Sequence, residues 1–156
     1  LIDVSGSMDL RDARGRQRRF DVAVEELKQL QAEVPGRVAV VSFSDTVQFV
    51  PGGVPTYVGN STALDKALEF VSVADGKVQF VIISDGEPNE DERCLTIAKR
   101  FKSRIDCIYV GNEVSGVGRK FLNKLAKGSG GTFIVLTDTK GIAARAKTLL
   151  LTGKAD

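Results

Sequence analysis

Residues 77–84 read KVQFVIIS and residues 37–43 read RVAVVSF, two nearly continuous apolar runs rich in β-branched residues. Such runs are typical of strands that are covered on both faces, as in a parallel sheet. Further strands are predicted at residues 1–4, 105–110 and 132–136, and helices at residues 20–34, 63–73, 91–102, 119–127 and 140–151. Ser61 or Thr62 is expected to cap the second of these helices.

Strands that alternate with helices predict an α/β fold, a three-layer doubly wound (Rossmann-like) sandwich around a mostly parallel sheet. Residues 46–50 follow a tight turn at Ser44 and Asp45 and alternate as an edge strand does, so one antiparallel hairpin strand is expected. The 156 residues fit a single domain over positions 1–156. Because Leu1 leads directly into an apolar strand, we expect this domain to be excised from a longer chain.

The composition excludes several kinds of site. The chain has no histidine, which rules out a Ser-His-Asp triad and every histidine-ligated metal centre. Its net charge of +2 argues against nucleic-acid binding, and no apolar stretch reaches the roughly 20 residues of a membrane span. The two cysteines, Cys94 and Cys107, are too few for a disulfide scaffold and favour a reduced intracellular protein with both thiols buried. Any metal must therefore be held by oxygen.

Oxygen-bearing side chains follow two of the predicted strands. Asp3, Ser5 and Ser7 lie on one short turn after the first strand, and Asp85 follows the strand at residues 77–84. Right-handed winding can place these strand ends side by side, and Thr62 adds a hydroxyl from the start of a helix. Met8 is expected to be buried under the turn.

This donor set suits a small, hard divalent cation. Mg²⁺ prefers oxygen ligands and keeps several waters, with Mn²⁺ or Ca²⁺ as alternatives. Three of the five donors are neutral hydroxyls, so the charge of the ion would be incompletely neutralised. Such an ion would favour an incoming carboxylate, which predicts a protein partner that presents Asp or Glu.

Three motifs together resemble the von Willebrand factor type A domain. They are Asp-x-Ser-x-Ser at Asp3, Ser5 and Ser7, a threonine at Thr62 within Gly-Asn-Ser-Thr-Ala-Leu, and Ser-Asp-Gly-Glu-Pro at residues 84–88. The resemblance extends over essentially the whole chain. It implies a complete metal-ion-dependent adhesion site and a non-enzymatic, divalent-metal-dependent protein–protein interaction module. It also implies direct contacts from Ser5, Ser7 and Thr62 to the ion, with Asp3 and Asp85 often acting through water.

The same motifs are compatible with two other interpretations. Ser5 and Ser7 could simply satisfy turn amides while Asp85 caps the following loop, although this leaves the convergence of three loops unexplained. Alternatively, Asp3 resembles the nucleophile of metal-dependent phosphatases of haloacid-dehalogenase type. That family requires a second acid two residues later, where Ser5 stands in this chain.

A basic loop leaves the same strand end. Arg11, Arg14 and Arg16 could steer an acidic partner surface toward the ion, or they could belong to a solvated loop that nearby aspartates offset. No aromatic residue interleaves the arginines, which argues against binding to single-stranded nucleic acid. The acids that follow Asp85 are expected to complement the dipole of the helix at residues 91–102.

Overall fold

The computed structural model describes residues 1–111 and 116–136. The predicted helix at residues 140–151 lies outside the described residues. The described chain forms a six-stranded sheet in the order β3-β2-β1-β4-β5-β6. The strands are β1 (Ile2–Asp3), β2 (Val40–Phe43), β3 (Val47–Val50), β4 (Phe80–Ser84), β5 (Ile105–Tyr109) and β6 (Phe133–Val135).

The sheet is parallel except at one edge. β3 returns antiparallel to β2 with Val40 opposite Val50, while β1 is parallel to both β2 and β4. β5 and β6 continue the parallel ladder on the other side. The predicted fold class, including its antiparallel edge strand, is thereby confirmed.

Helices cover both faces of the sheet. They are α1 (Arg19–Glu33), α2 (Leu64–Val71), α3 (Asp91–Ala98) and α4 (Val117–Gly128). α1 packs in one apolar core, which includes Ile83 and Ile108. The other three helices share a second core that includes Ile82 and Cys107. Neighbouring strand residues point to opposite faces, so the continuous apolar runs fill both cores at once.

Several predicted boundaries were wrong. β2 and β4 each begin three residues later than their apolar runs, at Val40 and Phe80. For β2, the hairpin ladder ends at the Val40–Val50 pair, because Pro51 follows β3 and cannot donate a ladder hydrogen bond. The cap of α2 is Ala63 and makes no side-chain cap hydrogen bond, so neither Ser61 nor Thr62 has the predicted capping role.

The smaller burial predictions are confirmed. Met8 is completely buried in the first core, and Cys94 and Cys107 are buried free thiols. Asp91 and Glu92 lie in the first turn of α3, where negative charge complements the helix dipole. Among the described residues, no helix is both long enough and apolar enough to cross a membrane.

Candidate metal site

The candidate site lies where the strand order reverses. From β1 the chain passes through α1 to β2 on one side, whereas β4 lies on the other side of β1 and leads on to β5. The loops after β1 and β4 therefore diverge and leave a crevice at the carboxyl edge of the sheet. Ligands of doubly wound sheets bind at such points.

Asp3 is the anchor of this crevice. Its side chain is fully buried; Oδ1 accepts a hydrogen bond from the Ser5 amide at 2.9 Å and Oδ2 accepts one from the Ser84 hydroxyl at 2.7 Å. Asp3 ends β1 and Ser84 ends β4, so the hydrogen bond from Ser84 joins the two strands where their loops begin to diverge. Burial, and next the charge of Asp85, raise the pKa of Asp3 to about 6, although the Ser5 and Ser84 hydrogen bonds act in the opposite direction.

The two serine hydroxyls of the first motif face each other. Oγ of Ser5 lies 3.5 Å from Oγ of Ser7 in a short 3₁₀ turn, Gly6–Asp9. The Gly6 amide donates to the Asn60 carbonyl at 2.8 Å, and a Cβ on Gly6 would approach that oxygen to 3.2 Å. This close backbone approach brings the loop that carries Thr62 against the serine turn.

Thr62 is held by the loop after β4. Its carbonyl accepts a hydrogen bond from the Asn89 amide at 3.0 Å, and its own amide donates to Oδ1 of Asn89 at 3.4 Å. The Thr62 side chain is 6% exposed. The loops that carry the five candidate ligands are thus joined to one another by hydrogen bonds.

The two carboxylate oxygens of Asp85 differ in their hydrogen bonding. Its Oδ2 accepts a hydrogen bond from Nη1 of Arg19 at 3.0 Å, whereas Oδ1 is buried and has no hydrogen-bond partner among the described residues. Buried carboxylate oxygens are rarely left unsatisfied. This oxygen is a position at which a cation, or a water held by one, would supply the missing partner.

Arg19 joins Asp85 to a third carboxylate. Nε and Nη2 of Arg19 donate to the two carboxylate oxygens of Asp12 at 2.6 and 2.7 Å. Burial would lower the pKa of Arg19, but the Asp12 hydrogen bond and the charge of Asp85 outweigh it and raise that pKa above its ordinary value. The guanidinium therefore stays charged beside Asp85.

Two glycines let the Asp85 loop approach α4. Gly86 has a φ of +74°, and a Cβ on Gly118 would overlap the carbonyl oxygen of Asp85. Only a residue without a side chain fits at position 118 in this arrangement. The start of α4 therefore sets the position of Asp85.

The basic loop divides into paired and exposed arginines. Arg14 is paired with Glu25 and Glu26 at 3.2 and 3.3 Å, while Arg11 and Arg16 have exposed side chains. Arg18 pairs with Asp9 and Asp21, and its guanidinium carbon lies 5.1 Å from the ring centroids of both Phe20 and Tyr57. The partner-steering role of Arg11, Arg14 and Arg16 stays a prediction.

The donor chemistry fits a hard divalent cation. In residues 1–111 and 116–136, no three cysteine, histidine, aspartate or glutamate side chains cluster as a metal site. A ligand set here would draw on hydroxyl, backbone carbonyl or water oxygens as well as carboxylates. Asp3 and Asp85 with Ser5, Ser7 and Thr62 offer only oxygen, which suits Mg²⁺. The unpartnered oxygen of Asp85 is the structural feature that accords with an ion there.

The predicted ligand set left out four residues that organise the site: Arg19, Asp12, Ser84 and Asn89. Ser84 belongs to the quoted motif at residues 84–88, but no role was predicted for it. A signal for Arg19 was present, because residues 19, 22, 23, 26, 27 and 30 share the helical spacing of one face of α1, and all six are buried. The two charged residues on this mostly apolar face, Arg19 and Glu26, indicate buried ion pairs. No local pattern indicates its partner, 66 positions away at Asp85.

Comparisons with known proteins bear on the fold. No protein-family model matches the chain, and no curated protein sequence matches it significantly. Two of the solved structures that resemble it do so over nearly their whole length. One is the conserved hypothetical protein BatB from Bacteroides thetaiotaomicron, with a TM-score of 0.73, 12% identity, and 99% of this chain and 97% of that chain covered. The other is an aerotolerance-related membrane protein from Bacteroides fragilis with multiple mutations to serines, with a TM-score of 0.75, 13% identity, and 97% and 96% covered. At this identity the likeness establishes a common fold.

Proposed function

We propose that this domain is a Mg²⁺-dependent protein-interaction module of the von Willebrand factor A type. In this proposal Asp3, Ser5, Ser7, Thr62 and Asp85 hold the ion. When bound, the ion would offer a coordination position to an aspartate or glutamate of a partner protein. The observation that carries the proposal is the buried Oδ1 of Asp85, which has no hydrogen-bond partner among the described residues. The 3.5 Å approach of the Ser5 and Ser7 hydroxyls, and the backbone hydrogen bonds of the Thr62 segment to the two neighbouring loops, support it.

The charge of the site supports a partner carboxylate. Of the two candidate carboxylates, Asp85 is already offset by Arg19, and the other three candidate ligands are neutral. The chain thus supplies little net negative charge to a divalent cation. An additional anionic ligand from outside would balance the charge that remains.

The arrangement of Asp3 favours binding over phosphate chemistry. Each of its oxygens accepts a hydrogen bond, from the Ser5 amide or the Ser84 hydroxyl, which makes each oxygen a weaker nucleophile toward phosphorus. Ser5 also occupies the position at which a phosphatase of the haloacid-dehalogenase type requires its second acid. We therefore propose a non-enzymatic role.

Titration calorimetry tests the proposal directly. Mg²⁺ and Mn²⁺ are titrated into the chelator-treated domain, with and without sodium acetate as a substitute for the partner carboxylate. We expect saturable binding that acetate strengthens, and we expect the Ser5→Ala/Ser7→Ala double variant to lose it. A parent domain that binds neither ion, even with acetate, would refute the proposal.

Two controls separate the site from general effects. Thr96→Ala removes a hydroxyl on the exposed surface of α3 that donates to the Glu92 carbonyl, and this variant should bind Mg²⁺ as the parent does. A phosphomonoester assay with Mg²⁺ should show no turnover. Turnover that Asp3→Asn abolishes would instead favour the phosphatase interpretation.

A further inference from the structure

Arg19 lies between the candidate metal site and the protein surface. Nη1 of Arg19 donates a hydrogen bond to Asp85, whose side chain is 1% exposed. Nε and Nη2 donate to Asp12, whose side chain is 30% exposed. The Arg19 side chain itself is 7% exposed. The positive charge of Arg19 thus lies next to Asp85, one of the two carboxylates proposed to hold the ion, on its outer side.

This placement has opposite effects on the two charges that the site would bind. A buried cation this close repels a divalent ion, because Coulomb interactions are weakly screened away from water. The same charge attracts an incoming carboxylate. Asp12 weakens both effects from the outer side of Arg19, since it offsets part of the guanidinium charge.

We infer that Arg19 is a positioning residue that lowers the intrinsic affinity of the site for Mg²⁺ and raises its dependence on a partner carboxylate. This inference rests on the function proposed above and deepens it. The metal alone would then bind weakly, and a partner acid would complete the site. Occupancy by the ion and capture of the partner are coupled, each strengthening the other by the same factor.

Three single variants test the inference by calorimetry, each titrated with Mg²⁺ in the absence and presence of sodium acetate. Arg19→Gln removes the charge and keeps a polar side chain, so we expect Mg²⁺ to bind about tenfold more tightly, which corresponds to ~1.4 kcal/mol. The strengthening of Mg²⁺ binding by acetate should shrink. Arg19→Lys keeps the charge but loses the paired hydrogen bonds to Asp12, so it should change both measurements less than Arg19→Gln does.

Asp12→Asn is the variant with the opposite expected sign. It removes the charge that offsets Arg19 without touching the proposed ligands, so Mg²⁺ should bind about threefold more weakly. The effect of acetate should grow. Thermal unfolding in chelator shows whether each variant is folded. If Arg19→Gln does not fold, the Mg²⁺ affinities of Asp12→Asn and Arg19→Lys still test the inference.

The possible outcomes separate this inference from the proposed function. Suppose that acetate strengthens Mg²⁺ binding by the parent. If Asp12→Asn then has the Mg²⁺ affinity of the parent, or Arg19→Lys alters that affinity as much as Arg19→Gln does, Arg19 has only a structural role and the inference alone fails. If the parent binds no Mg²⁺, the proposed function and the inference fail together. Opposite shifts in Arg19→Gln and Asp12→Asn support both.

Discussion

The buried charged side chains form ion pairs or hydrogen bonds with residues of neighbouring loops or strands. Arg19, Glu26 and Asp106 are at most 6% exposed. Glu26 pairs with Arg14, and Asp106 accepts hydrogen bonds from the Thr132 amide at 2.7 Å and the Gln79 side chain at 2.5 Å. Because an unpaired buried charge is strongly unfavourable, these contacts constrain where the connecting segments can lie.

The two thiols should be unreactive in the folded protein. Burial, followed by the charges of Asp65 and Asp91, raises the pKa of Cys94 to about 12, and burial also raises the pKa of Cys107. The reactive thiolate is therefore scarce at about pH 8. We expect iodoacetamide to leave both residues unmodified, as measured by mass spectrometry of the intact protein.

Unfolding supplies the control for this measurement. In guanidinium chloride both thiols become exposed to solvent. Iodoacetamide should then alkylate both within the reaction time that leaves the folded protein unmodified. Rapid modification of either cysteine without denaturant would show that the core opens there or that the thiol is more exposed than the structure indicates.

At the scale of elements, the contact between α4 and the loop after β4 controls the site. Gly118→Ala adds a methyl group that overlaps the Asp85 carbonyl oxygen. We expect a loss of about 1–3 kcal/mol in the free energy of unfolding, as for other overpacked positions. We also expect Mg²⁺ affinity to fall, because Asp85 must move away from the other ligands.

Gly52→Ala is the matched control for this substitution. A Cβ at Gly52 meets no atom of the described residues within 4 Å, so the effect of this substitution on stability should lie within about 0.5 kcal/mol. Chemical denaturation and Mg²⁺ calorimetry of the two variants give the comparison. Unchanged Mg²⁺ binding by Gly118→Ala would show that the loop accommodates the methyl group without moving Asp85.

A second contact between elements should make stability depend on pH. Asp75 follows a 3₁₀ turn after α2 and accepts hydrogen bonds from the backbone amides of Lys102, at 3.0 and 2.9 Å, and Ser103, at 2.8 Å. Desolvation opposes these bonds, but the Ser103 and Lys102 amides outweigh it and lower the pKa of Asp75 below its ordinary value of 3.8.

The sign of the pH effect follows from that lowered pKa. The stabilisation is complete above the ordinary pKa of 3.8 and is lost as the pH falls through the lower pKa of the folded state. Asp75→Asn should therefore destabilise the domain by about 0.5–1 kcal/mol at neutral pH, because solvent screens the charge at this exposed position. Urea denaturation at neutral and strongly acidic pH should show this difference shrinking in acid, and a constant difference would contradict the charge argument.

At the scale of the whole molecule, a ligand of the native state should raise the unfolding temperature. With Mg²⁺ at about 100 times its dissociation constant, the parent should gain about 2.7 kcal/mol of stability. For a domain of this size, that gain corresponds to an increase of roughly 5–10 °C. Calorimetric scans with Mg²⁺ and with chelator measure the shift.

The variants of the proposed site decide what such a shift means. Ser5→Ala/Ser7→Ala should show no Mg²⁺-dependent shift, whereas Thr96→Ala should match the parent. An equal shift in the double variant would place the ion elsewhere on the protein or attribute the effect to nonspecific binding.

The sequence alone determined the architecture. Apolar runs at residues 37–43 and 77–84, with helices between them, required a sheet covered on both faces, because each run has too many apolar residues for one face. It also located Asp3 and Asp85 at the ends of strands, since each directly follows or ends an apolar run. Local periodicity contains that information.

Only the tertiary structure decided which side chains meet. The Ser84–Asp3 and Arg19–Asp85 hydrogen bonds join residues 81 and 66 positions apart, and they exist because β4 lies beside β1. Strand order is a property of the whole packed sheet. The late starts of β2 and β4 have the same origin, because a strand extends only as far as a neighbour pairs with it. The helical spacing of α1 indicates that Arg19 is buried, but its pairing with Asp85 follows from the topology of the sheet, and no local pattern indicates that partner.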